Sequence, residues 1–352
     1  MKYSMRGNVD PFIVMDVMEN ARKAEESGRK IIHMEVGQPS TAAPSGALER
    51  TSQIIKSNPL GYTVALGLPE LRKKISNLYG RWYNLDIDPS RVIVTSGSSG
   101  AFILSFTALF EEGARVGIGA PGYPSYRQIL KSLGISPVDI VTNVKNKFQP
   151  TAKDVVSQNL DGLLVASPSN PTGTMLSKDE LTDLIDASHS IGANFISDEI
   201  YHGIQYEKKA VSALEVTDEC YVINSFSKFF SMTGWRVGWM VVPQNHIRLV
   251  ERLAQNLFIC SPHVSQIAAL EAMSCGCPVI CSNSSAIPEI AGNAAIYFDP
   301  DDDQKLTECL INMVNNEELR NSLKKKSINR SKYFRGIKQE IIYNADIFDK
   351  IN

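Results

Sequence analysis

Up to about residue 270, short apolar runs alternate with stretches of helical spacing. The runs are Ile31–Val36, Val92–Thr95, Arg115–Gly119, Gly162–Ala166, Asn194–Ser197, Tyr221–Ser225 and Val237–Val242. Several are almost continuously apolar, as strands covered on both faces are. Between them lie helical patterns at Ser99–Phe110, Ser125–Leu133 and Lys178–Ile191. Gly113, Gly134 and Gly192 follow these in the place of a helix C-terminal cap. Strand–helix alternation predicts an α/β fold with helices on both faces of one sheet. In such sheets ligands bind beyond the carboxyl ends of the strands.

Composition fits a large buried core, with 352 residues, 43% hydrophobic and 21% charged. That length suggests two domains or one large one. A formal net charge of -2 leaves no global field for nucleic acid or an anionic membrane surface. No apolar run reaches the roughly 20 residues of a membrane helix. The stretch Met1–Phe12 lacks the apolar core of a secretion signal, so a soluble, cytoplasmic protein is expected. Of six cysteines, five fall between Cys260 and Cys309. Cys275, Cys277 and Cys281 lack zinc-site spacing and read as small buried thiols, so no metal is expected.

Chemistry concentrates at the predicted strand ends. Asn224-Ser225-Phe226-Ser227-Lys228 places a lysine just past a strand, with Ser225 and Arg236 flanking it. Desolvation in a cleft would lower its pKa and make it nucleophilic, while hydroxyl and guanidinium suit a phosphate. Taken alone, Lys228 reads equally well as a solvated surface lysine. Thr95-Ser96-Gly97-Ser98-Ser99 runs from a strand into a helix, leaving N–H groups free for an anion. Asn170, in Ser169-Asn170-Pro171, and Asp198-Glu199-Ile200-Tyr201 follow two further strands. Each also reads as ordinary turn, cap or core. A buried Asp198, however, needs a cation, and a protonated pyridine would serve.

Together these motifs resemble the class I/II aminotransferases, pyridoxal-phosphate enzymes of fold type I. The resemblance covers roughly residues 1–270, in the family's order. It implies a three-layer sandwich around a mostly parallel seven-stranded sheet. It also implies roles. Lys228 looks like the lysine that carries pyridoxal 5'-phosphate as a Schiff base and shuttles the proton. Asp198 looks like the partner of the pyridine nitrogen, and Asn170 and Tyr201 like donors to the phenolic oxygen. Ser98, Ser99, Ser225 and Arg236 look like phosphate ligands, and Tyr123 like the aromatic stacked on the ring. Tyr62 resembles a tyrosine that reaches the partner subunit's phosphate, which implies a homodimer. Gly37 resembles the backbone contact to the substrate carboxylate, with Asn170 beside it.

The pattern changes near residue 270. Family members continue into a small domain bearing a substrate-carboxylate arginine on a strand. Here the later arginines, Arg320, Arg330 and Arg335, lie on polar helical stretches. Leu270–Ile280 and Ser285–Gly292, followed by Asp299-Pro300, instead resemble the end of a GT-B glycosyltransferase over about residues 268–335. There Glu271 would bond the nucleotide-sugar ribose, but His263 stands where that family has a second glutamate. His263 reads as a polar residue at a helix start. The tail predicts strands Val279–Cys281 and Ala295–Phe298, charged helices from Asp303 to about Arg335, and a weaker helix over Phe334–Asn352.

The expected organisation is an arm over residues 1–30, a cofactor-binding domain over 31–267 and a glycosyltransferase-like segment over 268–352. The segment replaces the usual small domain and makes the chain a chimera. The expected activity is amino-group transfer between an amino acid and a 2-oxo acid. The alternatives are a cofactor-binding but impaired chimera and a nucleotide-sugar-binding fragment.

Overall fold

The computed structural model describes residues 1–206, 208–273, 279–282, 293, 295–299, 302–316, 318–319, 322–323 and 326. Contacts divide the chain between Ala272 and Met273 into two compact units.

The first unit is built on one sheet. Its strands are β1 (Val92–Thr95), β2 (Arg115–Ala120), β3 (Ser136–Val141), β4 (Gly162–Ala166), β5 (Asn194–Asp198), β6 (Tyr221–Ser225) and β7 (Gly238–Val241). Their order is β1-β7-β6-β5-β4-β2-β3. Only β7 runs antiparallel to its neighbours, β1 and β6. The remaining pairs are parallel.

Two strand expectations need correction. Ile31–Val36 forms no strand, and Ile32 and Met34 are 83% and 89% exposed. Its β-branched residues favour extended backbone, but no neighbouring strand pairs with it. β3 was not foreseen. It is an edge strand, mostly solvent-facing, with Pro137 near its start, where a missing N–H is tolerated.

The helices of this unit are α1 (Ile13–Glu26), α2 (Ser45–Ser57), α3 (Pro69–Tyr83), α4 (Gly97–Leu109), α5 (Pro124–Ser132), α6 (Ala152–Val156), α7 (Lys178–Ser190), α8 (Ile247–Leu257) and α9 (His263–Ala272). Alternation along each strand splits the sheet's side chains between two faces. Ile93, Ile118, Leu164, Ile196, Ile223 and Met240 pack with Phe102 and Phe106 of α4, Leu130 of α5 and Val250 of α8. Each such fully buried side chain contributes about 1.5–3 kcal/mol relative to exposure. The opposite face holds Trp239, whose indole N–H donates to the Tyr79 hydroxyl of α3 at 3.1 Å. The sheet is therefore the middle of three layers.

Helix ends follow local chemistry. Ser177 and Glu180 form a reciprocal capping box at the start of α7. Gly134 and Gly192 take φ of +79° and +73° just past α5 and α7. Gly113 lies further beyond α4, in a turn where its N–H donates to the Gly134 carbonyl at 2.8 Å.

In the second unit, β8 (Val279–Ser282) pairs in parallel with β9 (Ala295–Phe298). The helix α10 (Asp303–Asn315) starts at an Asp302 carboxylate that accepts from the Lys305 N–H at 2.8 Å. Both strands stand where the sequence places them. Arg320, Arg330, Arg335, the Phe334–Asn352 helix, and the Cys275 and Cys277 thiols lie outside the described residues. Cys220, Cys260 and Cys309 are free thiols. Among the described residues no helix is long and apolar enough to cross a membrane, and no cluster suits a metal ion.

Candidate active site

The site gathers at the carboxyl ends of β4, β5 and β6 and the start of α4. Asp198 closes β5 and is 3% exposed. Its carboxylate accepts from the Ile200 N–H at 3.1 Å and from the Tyr126 hydroxyl. Among the described residues no cation pairs with it. Burial pushes its pKa up to about 6, against the pull of those two donors.

Lys228 lies just past β6, half-buried, and burial lowers its pKa. Its Nζ donates to the Gly37 carbonyl at 2.6 Å and stands 5.6 Å from the centre of the Tyr201 ring. The Asn170 amide, after β4, donates to the Tyr201 hydroxyl at 3.2 Å. Burial raises the Tyr201 pKa. These contacts link Gly37, Lys228, Tyr201 and Asn170 in series.

A second focus lies at the N-terminus of α4. No side chain caps this helix, and Ser98 and Ser99 bond no described residue through their hydroxyls. Gly97 has φ +70°, and a Cβ there would sit 2.3 Å from Arg236 Nη2. The guanidinium thus occupies the space that a side chain on Gly97 would fill. Its Nη1 donates to the Thr233 carbonyl at 3.1 Å. Ser225 Oγ accepts from the Ser227 N–H at 3.1 Å and lies 2.9 Å from Ser227 Oγ. A positive helix end beside a guanidinium is unfavourable without an anion and well suited to one.

Tyr123 caps α5 and meets Tyr126 edge to face, with centroids 5.2 Å apart. Tyr62 stands apart from the cluster. It is 82% exposed and bonds no described residue through its hydroxyl. Its loop is nevertheless anchored. His263 Nδ1 donates to the Gly61 carbonyl at 2.8 Å, and Gln266 Nε2 donates to Thr63 Oγ1 at 3.0 Å. A cleft of about 470 Å³ is lined by Gln38, Pro39, Ser231, Thr233 and Trp235, among others, but not by Lys228 or Asp198.

Sequence reasoning missed Tyr126, His202 and Gln266, and gave His263 no partner. Tyr126 follows Tyr123 closely enough for the motif to have hinted at it. Nothing local marks the other two as members of a network.

Residues 29–275 match the family described as aminotransferase class I and II. The chain belongs to that family. It is therefore a pyridoxal-phosphate-dependent transaminase. The valine–pyruvate aminotransferase of Mycobacterium tuberculosis is 39% identical over 300 residues, covering 84% of this chain and 75% of that one. The (5-formylfuran-3-yl)methyl phosphate transaminase of Methanocaldococcus jannaschii is 35% identical, over 75% and 70%. A Mycobacterium tuberculosis aminotransferase structure superposes with TM-score 0.75 at 40% identity, over 78% of this chain and 72% of its own. Residues 264–330 match a second family, glycosyl transferases group 1. The two matches overlap at residues 264–275, which include most of α9. An aminotransferase portion is thus followed by a glycosyltransferase-like segment.

Proposed function

We propose that this transaminase moves an amino group between an amino acid and a 2-oxo acid, with Lys228 as its central residue. The observation that carries the reading is Asp198, a buried carboxylate with no cation beside it among the described residues, at the strand end next to the one that presents Lys228. A protonated pyridine nitrogen supplies the missing charge. The residues fit the group at its other end too, since Arg236 and the uncapped start of α4 call for an anion. Ser98, Ser99, Ser225 and Arg236 would hold the phosphate. Asn170 and Tyr201 would donate to the phenolic oxygen, and Tyr123 would cover the ring.

When bound, pyridoxal phosphate supplies an electron sink. The chain does the rest. Burial keeps Lys228 Nζ more readily neutral, so the amine can take the proton from the substrate Cα. Asp198 would pair with the ring nitrogen and favour its protonated form. Gly37, in contact with Lys228, borders the place for the substrate carboxylate. Tyr62, exposed on a loop pinned to α9, would reach the site of a second copy, which makes the working form a homodimer. The segment after residue 267 stands in place of the family's small domain.

The test mixes cofactor-loaded protein with a panel of amino acids and follows single-turnover loss of the visible absorbance. Valine with pyruvate is the first pair to try, after the name of the Mycobacterium tuberculosis relative. Conversion by wild type and none by Lys228→Ala supports the reading. A protein that stays colourless with added cofactor sinks it.

A further inference from the structure

Behind Asp198 and Tyr201 lies a second, wholly buried polar layer with no place in the chemistry above. His202 is 1% exposed and follows Tyr201 directly. Its Nε2 lies 2.7 Å from the Ser167 carbonyl, which can only accept, so Nε2 carries the proton. Burial pulls the imidazole pKa down to about 4, so the ring is neutral near pH 7. Nδ1 is then an acceptor, and it takes the Tyr83 hydroxyl proton at 2.5 Å. The groups facing the ring are Tyr83 and Glu199, whose Oε2 is 3.5 Å from Nδ1, with Lys209 beyond the Tyr83 ring. Burial pushes Glu199 up to about 8, and Ser197, Ser212 and the Ala213 N–H donate to it. The His202–Glu199 contact is therefore a neutral pair, with no ion-pair attraction.

Ser167 begins the loop that carries Asn170. Its hydroxyl accepts from the Leu176 N–H at 2.9 Å, and the Ser169 N–H donates to the Thr174 carbonyl at 3.0 Å. The imidazole thus joins three elements: the loop after β4, the turn after β5, and Tyr83 at the end of α3.

We propose that His202 is a positioning residue for amino transfer: by bonding the Ser167 carbonyl and the Tyr83 hydroxyl, it sets the Asn170–Tyr201 pair. The proposal rests on the reading of Asn170 and Tyr201 as donors to the cofactor's phenolic oxygen. With those donors misplaced the oxygen would be more basic, and the visible absorbance of loaded protein would titrate at higher pH.

The experiment titrates the visible absorbance of cofactor-loaded full-length protein against pH, with cofactor dissociation measured alongside. His202→Leu is expected to raise the midpoint by about one pH unit and to weaken cofactor binding about ten-fold. His202→Gln, whose amide still donates to Ser167, keeps the wild-type midpoint. Tyr83→Phe shifts it in the same direction by less. A folded His202→Leu protein with wild-type midpoint and affinity overturns the proposal. Should His202→Leu not fold, an unmoved midpoint in Tyr83→Phe overturns it instead. Colourless wild type refutes the Lys228 reading and this proposal with it. Coloured wild type with indifferent variants refutes the proposal alone.

Discussion

Arg236 and Gly97 share one space: a Cβ on Gly97 would lie 2.3 Å from the Arg236 guanidinium. The two positions lie on different segments, yet a side chain at Gly97 and the guanidinium as placed exclude each other. Gly97 also holds φ at +70°, where an L side chain costs about 1–2 kcal/mol. Gly97→Ala should push the guanidinium off the start of α4. The expected result is at least a roughly ten-fold loss of cofactor affinity, about 1.4 kcal/mol, read by absorbance titration. Arg236→Lys keeps the charge but loses the planar fork, and should weaken binding as well. Wild-type affinity in both variants would remove the anion site from α4.

Tyr126 donates to the buried Asp198 carboxylate, helping to hold down a pKa that burial raises to about 6. A hydrogen bond to a charged group contributes about 1.5–3 kcal/mol. Tyr126→Phe should therefore raise the Asp198 pKa further and loosen its hold on a cationic ring. Cofactor dissociation constants should rise about ten- to a hundred-fold. Equal constants for variant and wild type would show that Asp198 does not depend on Tyr126.

Glu199 gives the cofactor-free protein a definite pH dependence. Its pKa is raised by burial from 4.5 to about 8, so the folded chain holds a proton that the unfolded chain has lost between those values. That stability is present in full below 4.5 and is lost as pH rises through about 8. His202 acts in the opposite sense, since burial lowers it from 6.5 to about 4. Its contribution is present above 6.5 and is lost as pH falls through about 4. The two slopes oppose each other below 6.5, and Asp198, at about 6, is then largely titrated. From there to about 8 the Glu199 slope remains, approaching about 1.4 kcal/mol per pH unit. Denaturant midpoints across this window should fall with pH in wild type and fall less steeply in Glu199→Gln, where exposed His33, raised to about 9 by its hydrogen bonds to Glu35 and Glu25, still titrates. An undiminished slope in the variant would assign it to another group.

Gln266 is fully buried and bonds three partners. Its Oε1 accepts from the Leu68 N–H at 2.8 Å, and Nε2 donates to Thr63 Oγ1 at 3.0 Å and the Ser261 carbonyl at 2.9 Å. Gln266→Ala leaves the buried Ser261 carbonyl and the half-buried Leu68 N–H without these partners, at about 1–3 kcal/mol each before relaxation or water entry, while Thr63 Oγ1 keeps its bond to the Val64 carbonyl. We expect a loss of about 2–4 kcal/mol in denaturant unfolding. Faster amide exchange at Leu68 should accompany it, and unchanged exchange there would place the loss elsewhere.

The sequence alone determined the α/β alternation and six of the seven strands of the sheet, and its strand-end motifs carried the family resemblance from which the cofactor residues are proposed. It could do so because these rest on local signals: short, nearly continuous apolar runs, the helical spacing between them and glycines at helix ends. The tertiary structure decided which distant residues complete them. Tyr126 reaches Asp198, His202 reaches Ser167 and Tyr83, and Gln266 reaches Thr63 only after the sheet order is set. A lone histidine or glutamine carries no mark of a partner far along the chain. β3 escaped notice because an edge strand lacks the two-sided apolar pattern, and Ile31–Val36 misled because β-branched composition does not supply a neighbour to pair with. Strand pairing and buried hydrogen bonding are properties of two segments at once, and one segment's residues specify only half of each.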